Sequence, residues 1–216
     1  RQDIPLQRQK ILVYDIETSR SKADIWWTGK QYVGYNQISE NPRIISIAWK
    51  WLDEDSVDFV KWDDDKDDKD LLKEFLKEYN KADMVIGQNN DRFDNRWVNA
   101  RAAFHNLEVN TFVKSFDIMK QTKRLFRLPS YSMAFIANFF GLTLKQSHEG
   151  IHMWDMIEDG TPEQQAEYME KMLEYNRGDI KSTAEMYHAF KPYFGSVTNK
   201  AVASGLEKWA CPVSGS

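Results

Sequence analysis

The chain has 216 residues, 42% of them hydrophobic and 13% aromatic, with a formal net charge of −4. That is enough apolar material for the core of one ordinary domain and excludes a chain that is disordered throughout. No apolar run approaches the ~20 residues of a membrane span and no signal-peptide stretch opens the chain. The single cysteine, Cys211, cannot close an internal disulfide, so a cytoplasmic protein without membrane contact is expected.

Residues 11–18, ILVYDIET, read as a buried β-strand carrying Asp15 and Glu17. Successive side chains of a strand alternate, so these two acids project to one face. Side by side they repel each other and lose water, which requires a neighbouring cation, a shared proton or a metal ion. A polar and aromatic stretch follows over 19–43, with Trp26, Trp27, Tyr32 and Tyr35. RIISIAWKW (43–51) and SVDFVKW (56–62) then read as two strands around the turn LDEDS. Residues 53–70 hold ten acids against Lys61, Lys66 and Lys69, a local charge of −7 that leaves +3 for the rest. This stretch reads as a solvated turn and loop, since it lacks the Gly and terminal Glu of a calcium loop.

DLLKEFLKEY (70–79) has helical spacing, and MVIG (84–87) reads as a short buried strand. A helix is expected from Asp91, with Phe93, Trp97, Ala100, Phe104 and Leu107 as its core stripe. Residues 112–128 mix apolar and basic side chains, and Pro129 is expected to open a helix through SYSMAFIANFF that Gly141 ends. Residues 145–160 read as loop with a short piece around IHMWDMI. Thr161 as N-cap, Pro162 at the first helical position and Gln164 in a capping box predict a long helix to about Phe190, interrupted only at Gly178. Strands followed by mixed helices predict an α/β domain, with three antiparallel strands first and parallel additions after.

Two further acids need explaining. Asp94 in GQNNDRFDNRW stands at a helix start, where the helix dipole alone favours an acid. Tyr175 and Asp179, four apart in LEYNRGDIKST, stack on one helix face beside the stripe of Leu173, Ile180, Ala184 and Tyr187. If Asp15, Glu17, Asp94 and Asp179 converge, four negative charges require divalent cations, and oxygen-only ligands select magnesium or manganese over zinc. Two such ions are an apparatus for in-line displacement at a phosphodiester.

YDIETS, GQNNDRFD and YNRGD, in this order, resemble the three motifs of the DEDD 3′–5′ exonucleases, which have the ribonuclease H-like fold. The Tyr-x-x-x-Asp spacing matches the tyrosine subclass, with Glu174 where the histidine subclass has His. ISIAWKWL, KSFDIMKQTKRLFRLPSYSMAFIANFFGL and HEGIHMWDMI extend the similarity to bacterial and phage exonucleases akin to those of family B DNA polymerases, over about residues 10–194. The resemblance implies a mixed central sheet flanked by helices. It makes Asp15, Glu17, Asp94 and Asp179 the catalytic ligands of two Mg2+ or Mn2+ ions. Tyr175 would orient the attacking water, its phenol being too weak an acid to serve as a general base near neutral pH. Thr18, Asn89 and Phe93 become substrate contacts; Gln88 replaces the family's more usual His, which puts a contact at that position in doubt.

Other substrate contacts are read from the residues. Lys114, Lys120, Lys123, Arg124 and Arg127 lie in one segment with a single acid, Asp117; these five could neutralise phosphates leading toward the metals or form a solvated face. Asp117 reads as a capping acid. Trp26 and Trp27 could stack on bases or cover the core. The four histidines, His105, His148, His152 and His188, show no zinc spacing, although His148 and Glu149 could border the cleft. CPVSGS at Cys211 resembles a zinc-ribbon knuckle with Ser214 in place of the second cysteine.

The expected protein is therefore a metal-dependent 3′–5′ exonuclease domain over 1–195 with a tail over 196–216. Its expected partner is nucleic acid with a single-stranded or frayed 3′ end, DNA rather than RNA, with replication or repair proteins alongside. The alternatives are a ribonuclease H-fold endonuclease or resolvase, an RNA exonuclease, or a non-catalytic nucleic-acid-binding module.

Overall fold

A computed structural model describes residues 9–143, 150–194 and 211. Its centre is strand β1 (Ile11–Thr18), whose run of β-formers is buried at Leu12, Val13, Tyr14 and Ile16. A small hairpin follows, made of β2 (Lys22–Ala23) and β3 (Ile38–Glu40). Strand β4 (Ile44–Trp51) returns antiparallel to β1, and β5 (Asp58–Lys61) pairs antiparallel on its outer side. Helix α1 (Lys69–Tyr79) leads to β6 (Met84–Gly87), which runs parallel to β1 on the other side. Helix α2 (Asp94–Phe104) leads to β7 (Lys114–Asp117), parallel to β6 at the sheet edge. The sheet order is β5-β4-β1-β6-β7, three antiparallel strands with two parallel additions, as the sequence pattern predicts.

The chain then turns into helices α3 (Ile118–Leu125), α4 (Met133–Phe140), α5 (Ile151–Asp159) and α6 (Pro162–Phe190). One core holds Leu12, Tyr14, Ile16, Ile45, Ile47 and Trp49 against α1, α2, α5 and the N-terminal half of α6. The opposite face holds Val13, Ala48, Ile86 and Phe116 against α4 and the C-terminal half of α6. Helix α6 thus contributes to both cores and passes over the two central strands. None of the described helices is long and apolar enough to cross a membrane.

Several local expectations are corrected. Helix α2 buries Asp94, Val98 and Ala102, while Ala100 and Phe104 are exposed and Phe93 is 40% exposed. Of the expected stripe, Trp97 and Leu107 are partly buried against the core, while Asp94, bonded to the Ile16 N–H of β1, leads the face that is fully buried. Residues 112–128 contain a strand and a helix, β7 and α3, that the mixed composition obscured. Helix α4 starts after its N-cap Ser132, whose side chain accepts the N–H of Phe135, rather than at Pro129; Gly141 ends it in the left-handed region at φ 67°. IHMWDMI lies within a nine-residue helix, α5. The capping box at Thr161 is present, and α6 runs unbroken through Gly178, where a Cβ would meet nothing within 4 Å. In the acidic stretch the other carboxylates are at least partly exposed, but Asp68 is fully buried. It accepts both Arg101 Nε at 2.6 Å and Arg101 Nη2 at 2.7 Å, lies 2.6 Å from His105 Nε2, and accepts the N–H of Ile44 at 2.9 Å.

Candidate metal centre

Asp15 and Glu17 share the face of Val13, the side over which the C-terminal half of α6 passes. Their register partners on β4 are Ala48 and Ser46, small residues that leave room for the helix. A register shift between Glu17 and Thr18 ends the pairing with β4 just after the second acid. Helix α5 holds this strand end: Trp154 Nε1 donates to the Thr18 carbonyl at 3.0 Å. Arg20 adds ion pairs to Asp155 at 2.6 Å and to the buried Glu158 at 3.2 Å.

From the other side, α6 presents Asp179. One carboxylate oxygen from each of Asp15, Glu17 and Asp179 lies within 4.8 Å of the others. Asp179 is 3% exposed, so burial adds to the mutual repulsion of the trio. Tyr175, one helical turn earlier, hydrogen-bonds Asp179. Burial pushes the Tyr175 phenol above its ordinary range, and the carboxylates of Asp179, Glu17 and Asp15 push it further. The phenol is therefore held protonated, as a hydrogen-bonding group and not a base.

Asp94 arrives differently. It starts α2 and turns an oxygen onto β1, accepting the N–H of Ile16, the residue between the two strand acids, at 3.1 Å. It is not part of the 4.8 Å trio. Burial raises its carboxyl to about 7, with the charge of Asp117 adding and two backbone N–H groups, its own and that of Ile16, opposing.

The donor set fits a hard divalent cation: three carboxylates from a rigid strand and a rigid helix converge, with oxygen as the only ligand atom. A second acidic group, Asp67, Asp68 and His105, is also close enough to hold an ion. There, however, the buried Asp68 is committed to Arg101, His105 and the Ile44 N–H, which is a structural ion-pair network.

The remaining expected contacts are spread over the surface. Trp26 and Trp27 are 92% and 65% exposed, so they do not cover the core. Asn89 takes a left-handed conformation at φ 66° and donates its N–H to Asp117. Asp117 also caps α3 through the N–H of Lys120, as expected of a capping acid. Lys123 is exposed on α3 over the ring of Tyr131, and Arg124 donates to Gln121 and to the Phe194 carbonyl. Arg127 is exposed in the segment after α3. His148, Glu149 and the knuckle around Cys211 lie outside the described residues, Cys211 itself excepted. Sequence reasoning missed Arg92 and Arg96, which line a cavity with Lys120 and Lys123; their spacing of four, beginning just before a helix, was the available signal.

A mixed five-stranded sheet, with acids of its central strand meeting an acid of the last helix, defines a ribonuclease H-like protein. The chain belongs to the RNase_H superfamily, whose sequence model matches residues 36–191. That match begins after β1, so it is independent of Asp15 and Glu17. Among curated proteins no sequence matches. Among solved structures, the family B DNA polymerase from the hyperthermophilic archaeon Pyrobaculum calidifontis is similar with a TM-score of 0.65 and 14% identity, over 93% of this chain and 26% of that one. At that identity the likeness is one of fold, and the chain spans about a quarter of the polymerase's length. Superfamily and acid cluster together point to a nuclease.

Proposed function

We propose that the protein is a divalent-metal-dependent 3′–5′ exonuclease of the tyrosine DEDD subclass, releasing nucleoside monophosphates from an unpaired 3′ end, DNA in preference to RNA. The convergence of Asp15, Glu17 and Asp179 beside Tyr175 carries this reading. Asp15, Glu17 and Asp179 would hold the metal directly, and Asp94 would complete the set from the start of α2. Bound Mg2+ or Mn2+ would polarise the phosphodiester and lower the pKa of the attacking water. The chain's own residues do the rest. The Tyr175 phenol, kept protonated, orients that water while its hydrogen bond to Asp179 sets its direction. Thr18, held at the strand end by Trp154, and the half-exposed Phe93 flank the terminal nucleotide. The exposed Trp26 and Trp27 offer faces for bases upstream.

Residues 1–195 form the catalytic domain in this reading and 196–216 a tail. Similarity in fold to a part of a DNA polymerase suits a role beside replication or repair proteins.

The test is digestion of 3′- and 5′-labelled single-stranded DNA and RNA, with Mg2+, with Mn2+ and with chelator. Mononucleotide from the 3′ end as the first product is expected, with none in chelator. Internal fragments appearing first would make the protein an endonuclease, and no cleavage under any metal would make it a binding module. Asp15→Ala should abolish cleavage while leaving the circular dichroism spectrum unchanged.

A further inference from the structure

A cavity of about 350 Å³ opens between the start of α2 and α3, and its lining includes four cations, Arg92, Arg96, Lys120 and Lys123. Arg92 lies in the turn two residues before α2 and Arg96 in the first turn of that helix, while Lys120 and Lys123 lie three apart on α3. Two acids share the lining, Asp91 and Asp117, leaving a formal local excess of two positive charges. Asp117 is engaged by the backbone N–H groups of Asn89, Asp91 and Lys120. Asp91 accepts from Ser115 at 2.5 Å and pairs with Lys120 at 3.3 Å. Arg92 and Arg96 make no ion pair among the described residues. With Lys120 paired to Asp91, the excess positive charge and the two exposed guanidinium groups leave the hollow attractive to an anion. Guanidinium matches the oxygens of a phosphate in a two-point fork.

The place of the cavity selects the anion further. Strands β1, β6 and β7 are parallel, so their C-terminal ends open on one edge of the sheet. The acid trio lies toward the end of β1, and the cavity is lined by Asn89, just past the end of β6, and by Asp117, the last residue of β7. The segment that carries Arg92 and Arg96 also carries Asp94, which is bonded to β1. Among the described residues no aromatic side chain lines the hollow, so it offers charge to a backbone rather than a surface to a base.

We propose that Arg92, Arg96, Lys120 and Lys123 form a subsite for the backbone phosphates of the strand whose end lies at the acid trio. This rests on the nuclease reading for the identity of the strand. It makes strand holding independent of base sequence and dependent on salt.

The experiment measures binding of fluorescein-labelled oligothymidylates of increasing length by anisotropy, in chelator so that nothing is cleaved. Affinity is followed against salt for the wild type and the double variants R92A/R96A, K120A/K123A and R92K/R96K. For the wild type, affinity should rise with length and fall with salt. Each alanine pair should weaken binding at low salt about tenfold or more and flatten the log-log salt slope by about 1.4, ~0.7 per lost phosphate contact. R92K/R96K should retain most of the slope, because the charges remain. An unchanged slope and length dependence in both alanine pairs would overturn the subsite, as would a wild type that binds no oligonucleotide. Displacement by inorganic phosphate as effectively as by long oligonucleotide, with no gain from length, would overturn strand tracking. A wild type that binds by these criteria but never cleaves with Mn2+ would sink the nuclease reading and leave the subsite standing.

Discussion

Asp68 and Asp94 are both buried carboxylates, yet their surroundings drive them in opposite directions. Burial alone would raise Asp68, but Arg101, the Ile44 N–H and His105 outweigh it and hold the group below the usual carboxylate range. Asp68→Ala would strand the nearly buried Arg101 without its partner, so a loss of about 3–5 kcal/mol is expected in urea unfolding. A loss below ~1 kcal/mol would mean that the pair is no more than a surface contact. Asp94 instead has its carboxyl raised to about 7 in the metal-free protein. A folded-state pKa above the unfolded one means that the native state binds the proton more tightly. Stability should therefore fall as pH rises from about 4 to about 7, by at most ~1.4 kcal/mol per pH unit, and level off above. Asp94→Asn should remove that slope, seen by repeating the unfolding series in chelator; a variant with the wild-type slope would assign the titration elsewhere.

Helix α6 shows how far local signals reach. Thr161, Pro162 and Gln164 specify its start, because the first turn must satisfy its own N–H groups from nearby side chains. Gly178 is the weak point in its propensity, yet the helix continues, since both cores hold it on either side. With nothing within 4 Å of an added Cβ, Gly178→Ala should raise stability by about 0.5–1 kcal/mol in urea unfolding. A loss instead would show that the backbone there needs glycine. Helix α2 is the opposite case. Of its aromatic residues at helical spacing, Trp97 packs partly against the core but Phe104 is 68% exposed, and Asp94, Val98 and Ala102 face inward. Spacing cannot choose between two such stripes when the deciding contact, Asp94 to the Ile16 N–H, comes from a strand far back in the chain.

Across the entire fold, the site is a junction: the central strand supplies two acids, the last helix a third, and the two meet only when the sheet is complete. Metal binding to this junction is binding to the native state alone, so it should stabilise the chain by mass action. Mn2+ at a hundred times its Kd should add about 2.7 kcal/mol and raise the thermal midpoint, an effect Asp15→Ala should lose. A midpoint indifferent to Mn2+ in the wild type would count against the metal assignment.

Strand alternation placed Asp15 and Glu17 on one face, and the antiparallel-then-parallel order of the sheet followed from the pattern of runs. The cap of α6 and the stop at Gly141 were equally readable. Each depends on neighbours within a few residues, where side-chain direction and backbone hydrogen bonding obey short-range rules. Other features rest on groups distant in the chain: Asp179 approaching the strand acids, Asp94 turning onto Ile16, Asp68 burying itself against Arg101, and two pairs of cations facing one hollow. Their positions answer to packing and to the cost of unpaired buried charge, which exist only once the helices have closed over the sheet.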